Sequence, residues 1–114
     1  MDREFIYINN FIKKWKDCEL PDSELQALEI YLLENPVAGD VMQGTGGLRK
    51  LRWALPKGGK SGGIRVLYID IVIAEKIYMI DLFTKNEKDN LSDSEKSEVK
   101  KLVKTLIDEE MKKQ

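Results

Sequence analysis

The run Ile64-Arg65-Val66-Leu67-Tyr68-Ile69-Asp70-Ile71-Val72-Ile73 constrains the fold more than any other stretch of this chain. It is nearly continuously apolar, which predicts a central strand buried on both faces. Arg65 and Asp70 are the exceptions, and an arginine entering an apolar strand needs a partner. The turn Ala74-Glu75-Lys76 then leads into another strand, Ile77 to Thr84. Upstream, Leu48 to Leu55 alternates. Arg49, Leu51, Trp53 and Leu55 take one side, Lys50, Arg52 and Ala54 the other. The three strands make an antiparallel meander, and the short run Glu4 to Ile8 adds to it.

Helical spacing supplies the rest. Phe11 to Lys16 places Phe11, Ile12 and Trp15 on one face, with Asn9 or Asn10 as cap. Pro21-Asp22-Ser23 starts a second helix, with Ser23 and Gln26 at capping-box spacing and an apolar stripe of Leu25, Leu28, Tyr31 and Leu32. Asn35-Pro36 stops it, because proline disfavours the α conformation in the residue before it. Ser92-Asp93-Ser94-Glu95 is a second capping box, opening a helix whose Val99, Leu102, Val103, Leu106 and Ile107 recur at helical spacing. The expectation is one α+β domain over 1–114 in the order β-α-α-β-β-β-α. A small antiparallel sheet would carry a helical hairpin on one face and leave a basic face open on the other.

Charge is distributed unevenly. The formal net charge is -1, yet Val41 to Ile69 holds six basic residues and no acid: Arg49, Lys50, Arg52, Lys57, Lys60 and Arg65. Lys50 and Arg52 share a strand face, and like charges so placed call for an anion or a partner's acids over them. A basic hairpin on a near-neutral protein points to a phosphate-facing site. Neither nucleotide motif fits. Gly59-Lys60-Ser61 ends like a P-loop, but Ala54 stands where its first glycine belongs and a strand follows. Gly44-Thr45-Gly46-Gly47 lacks the third glycine of the dinucleotide fingerprint.

The chain contains no histidine. That removes imidazole acid–base catalysis and the usual activator of a nucleophilic serine or cysteine. With Cys18 as the single cysteine, no zinc site and no internal disulfide are expected, and no cofactor. No apolar run approaches the roughly 18 residues of a membrane span. The acidic start Met1-Asp2-Arg3-Glu4-Phe5 has no apolar h-region, so a cytoplasmic location is expected. Tyr68 reads as core, Asp81 as the partner of a basic side chain, and Trp53 as core or a base-stacking surface.

Three runs together resemble the RelE/HigB family of bacterial type II toxins, closest to its HigB-like branch. They are Gly44-Thr45-Gly46-Gly47-Leu48-Arg49-Lys50-Leu51-Arg52, Gly59-Lys60-Ser61-Gly62-Gly63-Ile64-Arg65-Val66-Leu67-Tyr68, and Leu82-Phe83-Thr84-Lys85-Asn86-Glu87 with Leu91-Ser92. The resemblance implies a RelE-like fold and a metal-independent mRNA interferase that cuts the codon exposed in the ribosomal A site. It implies a neutralising antitoxin, often of helix-turn-helix type, through which alone operator DNA would be engaged. By position, Lys50 and Arg52 match the basic pair of the family's second strand, Arg65 the arginine on the scissile phosphate, and Lys85 a basic residue ending the last strand. Arg49, Lys57, Lys60 and Trp53 are expected to contact RNA, with Glu87 or Lys50 as candidate base. Asn86 stands where some members have arginine, and no histidine, nor any tyrosine after Tyr78, is present. The competing readings are a ParE-like toxin acting on gyrase, a noncatalytic RNA- or ribosome-binding module, and a plain interaction domain whose groove receives an acidic partner segment.

Overall fold

A computed structural model describes residues 2–55 and 63–114. Its strands are β1 (Glu4–Tyr7), β2 (Asp40–Val41), β3 (Arg49–Trp53), β4 (Ile64–Ile71) and β5 (Lys76–Thr84). Its helices are α1 (Phe11–Asp17), α2 (Asp22–Glu34) and α3 (Asp93–Lys112). The sheet runs β1-β5-β4-β3-β2, so the apolar strand β4 lies at its middle. β3, β4 and β5 form the expected meander. β1 joins β5 in parallel, which makes the sheet mixed, and β2 pairs antiparallel with β3 at the other edge.

Burial of β4 on both faces requires a layer on each side, and both are present. Phe11, Trp15, Leu28 and Leu32 of the α1–α2 hairpin pack on Ile64, Val66 and Tyr68. Leu67, Ile69 and Ile71 face the other way, where Leu91 and Val103 cover them. The second face is therefore not open along its length: α3 closes its apolar part, because apolar side chains there gain from leaving water. The basic residues keep the part of β3 carrying Lys50 and Arg52, of which Arg52 is exposed.

Local details differ from expectation for local reasons. Asn10 precedes α1 but makes no side-chain cap; Asn9 and Asn10 instead take left-handed backbone angles, φ 54° and 62°, which asparagine tolerates and which turn the chain from strand to helix. α2 begins behind Pro21, two residues before the Ser23 cap expected, and without a side-chain cap; Asp22 and Glu24 in its first turn complement the helix dipole. β4 ends at Ile71, and a 3-10 turn, Val72–Ala74, leads to Glu75 at φ 54°. A bulge in β5 shifts its register against β4 between Leu67 and Tyr68. Before the bulge Ile77 and Met79 face the helical hairpin; after it Leu82 does. Phe83 is thereby turned to the α3 side, opposite Arg65.

The Ser92 box forms as expected. Ser92 Oγ accepts from the Glu95 amide at 3.1 Å, and Glu95 Oε1 accepts from the Ser92 amide at 2.8 Å. Two ion pairs fasten the ends of the chain. Arg3 donates to both carboxylate oxygens of buried Asp70, at 2.6 and 3.2 Å. Glu110, fully buried in α3, accepts from Lys76 at 3.0 Å and from the Tyr78 hydroxyl.

Two measurements probe this framework. Gly63 has φ 73°, and a Cβ there would lie 2.3 Å from the Trp53 carbonyl oxygen. Gly63→Ala is expected to lose about 1–3 kcal/mol in urea melts. The Lys88 ammonium, and after it the Ser92 amide, hold the Glu95 carboxyl down at about 2. A carboxylate depressed in the folded state stabilises above its unfolded value and loses that contribution as pH falls through the folded one. Glu95→Gln should therefore be less stable than wild type at neutral pH. Its thermal midpoint should fall less steeply between about pH 5 and pH 2, as read by circular dichroism.

Candidate functional site

The pleat of β3 sends Lys50 and Arg52 away from Leu51, which is in the core under the hairpin. The ladder then sets Arg52 directly opposite Arg65. Two cations facing one another across a ladder destabilise it unless an anion intervenes. Asp89 is that anion, carried in from the connection between β5 and α3. Arg65 Nε donates to Asp89 Oδ1 at 2.7 Å, and Arg52 Nη2 stands 4.0 Å from Oδ2. Lys50 Nζ donates to the main-chain carbonyl of the same residue at 2.8 Å. The Arg65 side chain is only 6% exposed, whereas that of Asp89 is 54% exposed. The Arg65 hydrogen bond, above all, holds the Asp89 carboxyl below the usual carboxylate range.

Beside this cluster opens a cavity of about 540 Å³. Lys50 and Arg52 line it, joined by Lys96 from the first turn of α3, Asn90 from the loop, and Asp40 and Met42 from the β2 edge. Three cations in one lining with amide and carboxylate groups suit an anionic, hydrogen-bonding ligand. Among the described residues no group of three or more histidine, cysteine, aspartate or glutamate side chains is placed to hold a metal ion.

Other candidates lie elsewhere. Arg49 Nη1 donates to the carbonyls of Gly39 and Val37, at 2.7 and 3.3 Å, and so ties β3 to the segment after α2. Trp53 Nε1 donates to Glu24 at 2.9 Å, and its ring rests 5.4 Å from that of Tyr31. Both belong to the helical-hairpin side, away from Lys50 and Arg52. Lys57 and Lys60 lie outside the described residues. Tyr68, fully buried, donates to the Pro36 carbonyl and accepts from the Gly39 amide, and burial pushes its hydroxyl pKa up. Asp81 pairs with Lys14, as its position amid apolar residues implied.

The family described as the RelE toxin of the RelE / RelB toxin-antitoxin system matches residues 5–114. The chain belongs to the RelE toxin family. Its fold is similar to that of free Escherichia coli toxin RelE, in a form with two arginines replaced by alanine. There the TM-score is 0.55 at 18% identity, over 76% of this chain and 87% of that one. It is similar as well to the intact E. coli RelBE toxin-antitoxin complex, with a TM-score of 0.54 at 17% identity, over 80% of this chain and 100% of that one.

Within this RelE-family chain, Lys85 is exposed at the exit of β5, two residues past Phe83, the register partner of Arg65. Glu87 turns back on its own loop: its Oε1 accepts from the Thr84 amide at 3.0 Å and hydroxyl at 3.1 Å. The Thr84 amide, above all, holds its carboxyl below the usual range, and it shares a separate cleft with Lys14 and Asp81. A carboxylate so engaged is a poor proton acceptor. Asp89 and Lys96 went unread in the sequence. The signal available was the cost of burying Arg65, which demanded an acid without saying which.

Arg49→Ala separates the two sides of β3. It should cost about 1–2 kcal/mol in chemical denaturation through its lost carbonyl bonds. RNA affinity, measured by filter binding, should stay within about twofold of wild type, since a charge beyond the cluster acts through screened solvent.

Proposed function

We propose that this RelE-family toxin is a metal-independent, ribosome-dependent endoribonuclease that cuts mRNA in the A site and so arrests translation. The observation that carries the reading is the convergence of Lys50, Arg52 and Arg65 on a single anionic residue. The 2'-hydroxyl would attack the adjacent phosphorus as its proton leaves to a base. The bond to the 5'-oxygen of the next nucleotide would break as that oxygen takes up a proton. The products would be a 2',3'-cyclic phosphate, or the 3'-phosphate that its hydrolysis by water gives, and a 5'-hydroxyl end. Negative charge gathers on the phosphoryl oxygens in the transition state, where preorganised cations act most strongly. Arg65 offers a planar fork to those oxygens, Arg52 assists from the facing strand, and Lys85 approaches from the end of β5.

Of the two candidate bases, Lys50 stands in the cluster and Glu87 outside it. A site without histidine is a slow catalyst alone, which suits an enzyme whose substrate is oriented by ribosomal RNA. The proposed partners are the ribosome, its mRNA and a cognate antitoxin of helix-turn-helix type, with operator DNA engaged only through that antitoxin. The family's membership in toxin-antitoxin systems and the existence of the RelBE complex support a neutralising partner. The proposed place of action is the cytoplasm; among the described residues no helix is long and apolar enough to cross a membrane.

Cleavage of a defined mRNA on purified programmed ribosomes, mapped by primer extension, tests the reading. Wild type should cut within the A-site codon, and Arg65→Ala should slow the cut by about 100-fold or more, the scale of losing one transition-state charge partner. Intact mRNA with folded wild type would remove the interferase reading and turn attention to gyrase or to binding without chemistry.

A further inference from the structure

Among the described residues Asp89 is the one on which all three cations of the cluster converge, and its position in the chain makes that notable. It stands on the connection between β5 and α3, outside the sheet and outside the helix. Its carboxylate is bonded to Arg65, near Arg52, and its carbonyl is bonded to Lys50. The guanidinium it meets is buried while Asp89 itself is half exposed, so the pair sits at the border between core and solvent. A carboxylate and a phosphodiester offer a guanidinium the same thing: anionic oxygens in hydrogen-bonding geometry. Both cannot occupy the same donors at once.

We propose that Asp89 fills the phosphate seat in the free protein, and that RNA enters by displacing its carboxylate from Arg65. This rests on the reading of Lys50, Arg52 and Arg65 as the seat for an RNA phosphate. The displacement is physically accessible. Asp89 already keeps half of its side chain in water, so its carboxylate regains solvent as it leaves, and the incoming phosphate takes its place against the buried guanidinium. Moving Asp89 away breaks one ion pair, one longer contact and one lysine bond, and opens no sheet ladder. A phosphate in its place would offer anionic oxygens to the same cations. The consequence is a self-limiting site: the most buried cation of the resting toxin is already occupied, and an anion reaches it only by displacing Asp89.

The opposite role is equally concrete. Asp89 could stay in place and align Arg65 through Nε while the far edge of the guanidinium grips the phosphate. The two roles differ in sign. The probe is a short fluorescein-labelled RNA with 2'-O-methyl groups throughout, which binds and is not cut, titrated by anisotropy at fixed salt. Asp89→Asn keeps a side-chain oxygen for Arg65 to donate to, so the guanidinium is not orphaned. Asp93→Asn removes the same charge from the exposed first turn of α3 and controls for general attraction to RNA. Displacement predicts that Asp89→Asn binds about tenfold tighter than Asp93→Asn, and that adding Arg65→Ala abolishes the gain. An Asp89→Asn affinity equal to that of Asp93→Asn, or below wild type, overturns displacement; the second result makes Asp89 a positioning residue. If wild type binds and Arg65→Ala weakens it while Asp89→Asn gains nothing, the phosphate seat stands and displacement alone fails. If no variant binds, the seat itself is wrong and the proposal falls with it.

Discussion

Everything in this fold follows from a strand that is apolar on both sides. β4 can be stable only at the middle of a sheet with a layer over each face. The α1–α2 hairpin supplies one layer and α3 the other. The same arrangement decides the fate of Arg65. A guanidinium in a strand walled on both sides is buried by construction, and an isolated buried charge is strongly disfavoured. The structure answers with Asp89 at 2.7 Å. The cationic centre is thus a product of the core, and its geometry is as rigid as the strand that carries it.

The other members of the site arrive from different directions. Lys50 and Arg52 come from β3, Asp89 and Asn90 from the loop after β5, and Lys96 from the first turn of α3. The bulge in β5 has a share in this, since it sets which residues of that strand face Arg65. Charges brought together from separate elements repel one another, and the repulsion is tolerable only while an anion is present. A centre of this kind is stable when occupied and under strain when empty, which suits recognition of a polyanion.

Much of this could be read from the sequence, and the reasons are local. Alternation in Leu48 to Leu55 and the apolar run of β4 gave the meander, and Ser92 with Glu95 gave the start of α3, because periodicity and caps act within a few residues. The RelE resemblance was legible in runs that turned out to be β3, β4 and the end of β5. What escaped was non-local or too short. β2 has two residues and no period to detect. The parallel pairing of β1 depends on a partner far along the chain. Asp89 lies 24 residues from Arg65, on a loop where nothing in the sequence distinguishes it from Asp93 or Glu87. Arg49 and Trp53 teach a narrower lesson. The pleat already put them opposite Lys50 and Arg52, on the side where Arg49 bonds to main-chain carbonyls and Trp53 to Glu24.

The pairing of Glu4 with Lys76 has a bearing on how the molecule comes into being. β3, β4 and β5 are neighbours in sequence and can zip together with short loops to close. β1 must wait until all of the chain between it and β5 exists, and closing so long a loop is entropically slow. On a translating ribosome the meander therefore precedes the edge. The edge strand is held by Tyr7 reaching Glu29 of α2 and by the Arg3–Asp70 pair, whose partner comes only with β4. The last part of the sheet to assemble should be the first to fray, leaving the half that carries Lys50, Arg52 and Arg65 intact while the opposite rim breathes.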